Sequence, residues 1–121
     1  MQKSINKVLV VEDDCLIRID ARMALENAGL GVVEAEDVQA ALDIFRQRGD
    51  IDAVISDVAM PGTLDGIDLA RVLRSARPDM PILLTTGSGE VRDLPPFVTV
   101  LAKPYRTVDL PAYLSAALPV A

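Results

Sequence analysis

The chain has 121 residues, about one domain's worth, and half of them are apolar, enough to bury a core. Eighteen acidic against twelve basic residues give a formal charge of −6, which argues against a nucleic-acid or anionic-membrane binder, and a single cysteine excludes an intramolecular disulfide. Histidine is absent, which removes Ser-His-Asp and Cys-His triads and most zinc sites, so any chemistry must come from carboxylates, hydroxyls and amines.

The first residues, Met1-Gln2-Lys3-Ser4-Ile5-Asn6, lack the apolar core of a signal peptide, and no apolar run approaches the roughly 20 residues of a membrane span. A soluble cytoplasmic protein is the expectation. Val8-Leu9-Val10-Val11 reads as a strand covered on both faces, since it is too short for a helix and rich in β-branched residues. A helix over residues 14–28 carries Leu16, Ile19 and Met23 on one face, with Gly29 as its C-terminal cap. Gly31-Val32-Val33-Glu34-Ala35 is a second strand, nearer the edge. The next helix is capped by Asp37, turns Val38, Ala41, Leu42 and Phe45 inward, and is ended by Gly49. After the strand Ala53-Val54-Ile55, a helix repeats that spacing with Leu69, Val72, Leu73 and Ala76 before Pro78 stops it.

Ile82-Leu83-Leu84 and Val98-Thr99-Val100-Leu101 are the last two strands. Between them Gly87, Gly89, Pro95 and Pro96 leave space for little more than one helical turn, so an abbreviated or irregular connection is expected. A final short helix is capped at Asp109 rather than Thr107, because Pro111 has no N–H to offer a cap at Thr107, and turns Leu110, Tyr113, Leu114 and Ala117 inward. The alternation is that of an α/β protein with a parallel sheet between two helical layers.

In such a sheet, ligands gather at the carboxyl ends of the strands. Glu12, Asp13 and Asp14 follow the first strand, Asp57 the third, Thr85 and Thr86 the fourth, and Lys103 the fifth. Right-handed crossovers bring those ends to one edge. Two carboxylates about 5 Å apart repel by roughly 3 kcal/mol at an effective dielectric near 20, so the acids need a partner. A magnesium ion suits carboxylate and carbonyl oxygens and keeps waters for exchange with phosphate. Lys103, the only lysine after residue 7, suits a phosphoryl oxygen as a compact charge. Asp14 is read as the cap of the helix that follows it.

Over residues 7–118 the ordered set Val10-Val11-Glu12-Asp13-Asp14, Asp57-Val58-Ala59-Met60-Pro61 with Asp65-Gly66, Pro81-Ile82-Leu83-Leu84-Thr85-Thr86-Gly87 and Lys103-Pro104 resembles the receiver domain of two-component response regulators. The resemblance implies a flavodoxin-like, doubly wound five-stranded parallel sheet in the order 2-1-3-4-5, with a short or irregular fourth helix. It implies that Asp57 accepts a phosphoryl group from a phosphohistidine on a histidine kinase or histidine phosphotransfer protein. Glu12, Asp13 and Asp57 would hold Mg2+ together with the backbone carbonyl of Ala59. Thr86 would hydrogen-bond the phosphoryl group and Lys103 would pair with it, while Lys103-Pro104 resembles the family's cis peptide. Asp14, Leu16, Arg18, Tyr105 and Arg106 match positions that meet the kinase or phosphotransfer helices.

Some positions depart from the common pattern. Thr63 and Leu64 lengthen the loop before Asp65 by one residue, Val100 stands where an aromatic switch residue is common, and the fourth helix is reduced. The dimer face built on that helix is therefore weakened, and a monomer or weak dimer is expected. Small Ala59 and Gly87 beside Asp57 leave water access open and imply a short-lived aspartyl phosphate, while Cys15 is read as a small packing residue. The expectation is one receiver domain over residues 1–121, with no output domain, binding neither nucleic acid nor membrane. Two other readings compete with it. One is a receiver-fold interaction module that needs no phosphorylation, and the other is a haloacid-dehalogenase-like phosphatase, whose nucleophile would sit on the first strand in an Asp-x-Asp pattern.

Overall fold

In the computed structural model, residues 5–87, 91 and 93–117 are described; Met1, Gln2, Lys3, Ser4 and Gly89, named above, lie outside them, as does residue 118, the end of the range that carries the resemblance. The five apolar blocks form β1 (Lys7–Val11), β2 (Gly31–Ala35), β3 (Ala53–Asp57), β4 (Ile82–Thr86) and β5 (Val98–Ala102), in one parallel sheet of order β2-β1-β3-β4-β5. The fold class and strand order are those expected. β3 and β4 are buried at every position, whereas the edge strands β2 and β5 are mostly half-buried, which is why only the central runs read as unbroken apolar blocks.

Alternation along the strands sorts the core into two layers. Leu9, Val11, Val54, Ile82 and Leu84 meet α2 (Val38–Gln47) and α3 (Gly66–Ala76) through Leu42, Leu69 and Leu73. Val8, Val10, Ala53, Ile55 and Leu83 meet α1 (Cys15–Asn27) and α4 (Leu110–Ala116) through Ala21, Leu25, Leu110 and Leu114. Asp14, Asp37 and Asp65 cap α1, α2 and α3, and Asp65 and Asp68 form a reciprocal capping box. Each cap satisfies amides that would otherwise be orphaned, worth about 1 kcal/mol. A 3-10 turn, Thr107–Asp109, precedes α4, and Asp109 makes no side-chain cap bond.

The helices are where expected, but some of their inward faces are not. α1 presents Leu16 and Met23 to solvent, at 79% and 53% exposure, and buries Ala21 and Leu25 instead. Two apolar stripes run along this helix. Arg18 and Arg22 pair with Glu34 on β2, and in that orientation the stripe ending at Leu25 lies against the sheet. In α3, Val72 is exposed and Arg74 is buried, and in α4 Tyr113 lies largely outside the core.

Arg74 explains the connection between β4 and β5, where the described residues contain no helix. Its guanidinium donates to the carbonyls of Pro96 (Nε, 2.9 Å) and Phe97 (Nη2, 2.9 Å), and to those of Arg77 and Pro78 (Nη1, both 3.1 Å). Arg71 Nη2 adds a bond to the Asp93 carbonyl at 2.7 Å. Backbone groups that a helix would satisfy internally are met here by side chains of α3. Phe97 ends this connection at φ 62, unusual for a bulky residue, with its ring largely exposed.

Candidate functional site

All six expected site residues lie at the carboxyl edge of the sheet or just beyond it. Glu12 follows β1 and is 5% exposed; Asp57 is the last residue of β3 and is 8% exposed. Asp13 is exposed beside them, and carboxylate oxygens of Glu12, Asp13 and Asp57 all lie within 4.8 Å of one another. Ala59 is exposed two residues past Asp57, and Thr86, buried, ends β4. Lys103 follows β5, and its Nζ donates to Asp57 Oδ2 at 2.8 Å. Its own amide donates to the Thr86 carbonyl at 2.8 Å, and the peptide to Pro104 is cis.

The backbone around Asp57 is held closely. Ser56 Oγ donates to the Asp57 carbonyl at 2.9 Å, Val58 N donates to the Thr85 carbonyl, and Gly66 N donates to the Val58 carbonyl. A Cβ at Gly66 would collide with the Asp57 carbonyl oxygen, so only glycine lets α3 start this close to the strand. Sequence reading took Gly66 as part of a pattern and gave Ser56 no role. The one available signal was a glycine at the first helical position directly after a capping aspartate.

Burial raises the Glu12 carboxyl above its ordinary value, opposed by a bond from the Asp14 amide and reinforced by Asp13 and Asp57. Burial alone would lower the Lys103 ammonium, but the bond to Asp57 and the charges of Asp57 and Glu12 outweigh it, and the net direction is up. Lys103 therefore stays charged beside the three carboxylates. An all-oxygen donor set with excess negative charge fits a hard divalent ion such as magnesium.

The flanking residues divide. Leu16 and Ile17 of α1, with Asp20, Lys103, Pro104, Tyr105 and Thr107, line a shallow groove of about 480 Å³ that includes the lysine bonded to Asp57, and within that lining Thr107 Oγ1 donates to Asp20. Arg106 is exposed nearby. Asp14 is spent on capping α1, and Arg18 is not a free surface contact, because it bonds the Glu12 carbonyl and Glu34. Cys15 is exposed rather than packed.

A family model described as the response regulator receiver domain matches residues 8–114. The chain is 39% identical over 84 residues to the transcriptional regulatory protein FixJ of Bradyrhizobium diazoefficiens, a match covering 69% of this chain and 40% of that one. It is 39% identical over 92 residues to the sensor kinase CckA of Brucella abortus, covering 73% of this chain and 10% of that protein. Among solved structures, a response regulator receiver domain protein from Clostridium thermocellum superposes with a TM-score of 0.81 at 30% identity, covering 93% of this chain and 94% of that one. The chain thus spans less than half the length of these curated relatives.

Proposed function

The chain belongs to the response regulator receiver domain family of two-component signalling, and from that premise we propose that Asp57 is its phosphoacceptor. The observation that carries this reading is the Lys103–Asp57 bond facing a cluster of three carboxylates on one sheet edge. An Asp57 oxygen attacks the phosphorus of a phosphohistidine on a histidine kinase or phosphotransfer protein; the P–N bond breaks as the P–O bond forms, and the electron pair leaves with the partner's imidazole. Glu12, Asp13, Asp57 and the Ala59 carbonyl would hold magnesium, which supplies charge neutralisation for the phosphoryl oxygens.

Lys103 then exchanges its bond to the Asp57 carboxylate for one to a phosphoryl oxygen, and the Thr86 hydroxyl donates to another. The protein's own contribution is mostly placement, because phosphoryl transfer asks for alignment and charge stabilisation more than for covalent work. The apolar groove of Leu16, Ile17, Pro104 and Tyr105 offers the adjoining surface for a partner helix. Output by phosphorylation-dependent contact with another protein belongs to the same proposal, as does a cytoplasmic setting. Among the described residues, no helix is long and apolar enough to cross a membrane.

Incubation with a small acyl phosphate and magnesium, followed by intact mass, tests the reading. One phosphoryl adduct is expected, and it should be lost in Asp57→Asn. Absence of any adduct across magnesium concentrations would overturn it and favour a module that works by contact alone.

A further inference from the structure

Glu12 and Asp13 are consecutive, and consecutive side chains of a strand point to opposite faces. Both nevertheless place a carboxylate oxygen within 4.8 Å of Asp57. The regular strand has ended before both of them. Strand pairing ends at Val11, and the chain bends at Asp13. Glu12 stands at the break, because its amide still donates across the sheet to the Ala35 carbonyl at 3.0 Å, while its carbonyl has left the ladder. That carbonyl is taken by Arg18 Nη1 at 2.8 Å.

Arg18 is itself fixed from the far side. Its Nε donates to Glu34 Oε1 at 3.0 Å, and the other oxygen of Glu34 accepts from Arg22 Nη1 at 2.9 Å. Glu34 lies on the edge strand β2, away from the carboxylate cluster. The two arginines hold its carboxyl below the usual range, against a burial effect that would raise it. A planar fork with separate donors can bridge a carbonyl and a carboxylate together, whereas a single ammonium serves such a pair poorly.

We propose that Arg18 is a positioning residue for the magnesium site: by gripping the peptide between Glu12 and Asp13 and anchoring it to Glu34, it sets the direction of both carboxylates. The inference rests on the magnesium and phosphoacceptor reading above. It has a consequence of definite sign. Removing a cation close to an acidic site tightens divalent-ion binding by electrostatics alone, so a structural or purely electrostatic role predicts magnesium affinity unchanged or increased in Arg18→Met. Loss of positioning predicts the reverse.

Magnesium chloride is titrated into the folded full chain by calorimetry and followed independently as a magnesium-dependent rise in Tm. Arg18→Met is expected to bind magnesium about tenfold more weakly than wild type, with acyl-phosphate labelling recovered at saturating magnesium. Arg22→Met, which removes the same charge but leaves the Arg18 bonds in place, is expected to bind at least as tightly as wild type. Arg18→Lys keeps the charge and loses the fork, so it also serves if Arg18→Met fails to fold; several-fold weaker binding is expected. Wild-type or tighter affinity in Arg18→Met, or in Arg18→Lys when the Met variant does not fold, overturns the inference. A wild-type chain that binds no magnesium overturns the site itself and this inference with it, and the two failures are separated by the wild-type titration.

Discussion

Gly66 shows how tightly the phosphoacceptor is placed. On helix propensity alone Ala would be preferred there by about 1 kcal/mol. The added carbon would instead strike the Asp57 carbonyl oxygen, and neither α3 nor β3 can retreat without unpacking the Leu69 and Leu73 layer. Gly66→Ala is therefore expected to lose stability by ~1–3 kcal/mol in urea denaturation, and to slow Asp57 labelling more than it lowers magnesium affinity. The chemical identities at this scale were open to reading, because Glu12, Asp13, Asp57, Thr86 and Lys103 each follow an apolar run. The supports were not. Ser56 looks like an ordinary strand residue, and Arg18, read as a partner-facing position, instead holds a backbone carbonyl.

At the level of elements, the strands were legible because burial on both faces leaves unbroken apolar runs, and the caps of α1 and α2 because an aspartate directly precedes the helical pattern, whereas Asp109, read the same way before α4, makes no cap bond. Which face a helix buries was less legible. α1 carries two apolar stripes, and the one that is buried goes with Arg18 and Arg22 pairing to Glu34 on β2. The link from β4 to β5 was readable as short but not as held by α3. Arg74→Met leaves up to four carbonyls without their donor while keeping most of the side chain's volume, and is expected to cost at least about 2 kcal/mol in thermal or urea denaturation. Arg74→Lys is expected to recover little of it, since one ammonium cannot span that set.

Taken whole, the fold concentrates its electrostatic cost in one place. The raised Glu12 carboxyl binds its proton more tightly folded than unfolded, so its ionisation works against folding. That cost is absent below the ordinary glutamate range and grows as pH rises through the raised value. Magnesium-free protein is accordingly expected to lose Tm between weakly acidic and neutral pH. Glu12→Gln should flatten that dependence and raise the neutral-pH Tm by a few degrees. Millimolar magnesium should raise the wild-type Tm at pH 7, and in Asp13→Ala that increment should largely vanish. Differential scanning calorimetry with and without EDTA reads all three; a magnesium increment of wild-type size in Asp13→Ala would contradict the proposed ligand set.

The sheet also has to end somewhere, and β5 is an outer strand whose far rim of amides and carbonyls has no neighbouring strand among the described residues. Such a rim is a template on which another chain can lengthen the ribbon. Here Pro95 and Pro96 stand before the strand and Pro104 just after it, and the run between is only five residues long. A recruited strand would find few rungs and, at either end, a residue with no hydrogen to donate. Pro104, next to the lysine that bonds Asp57, thus also helps to close this edge of the sheet to runaway growth.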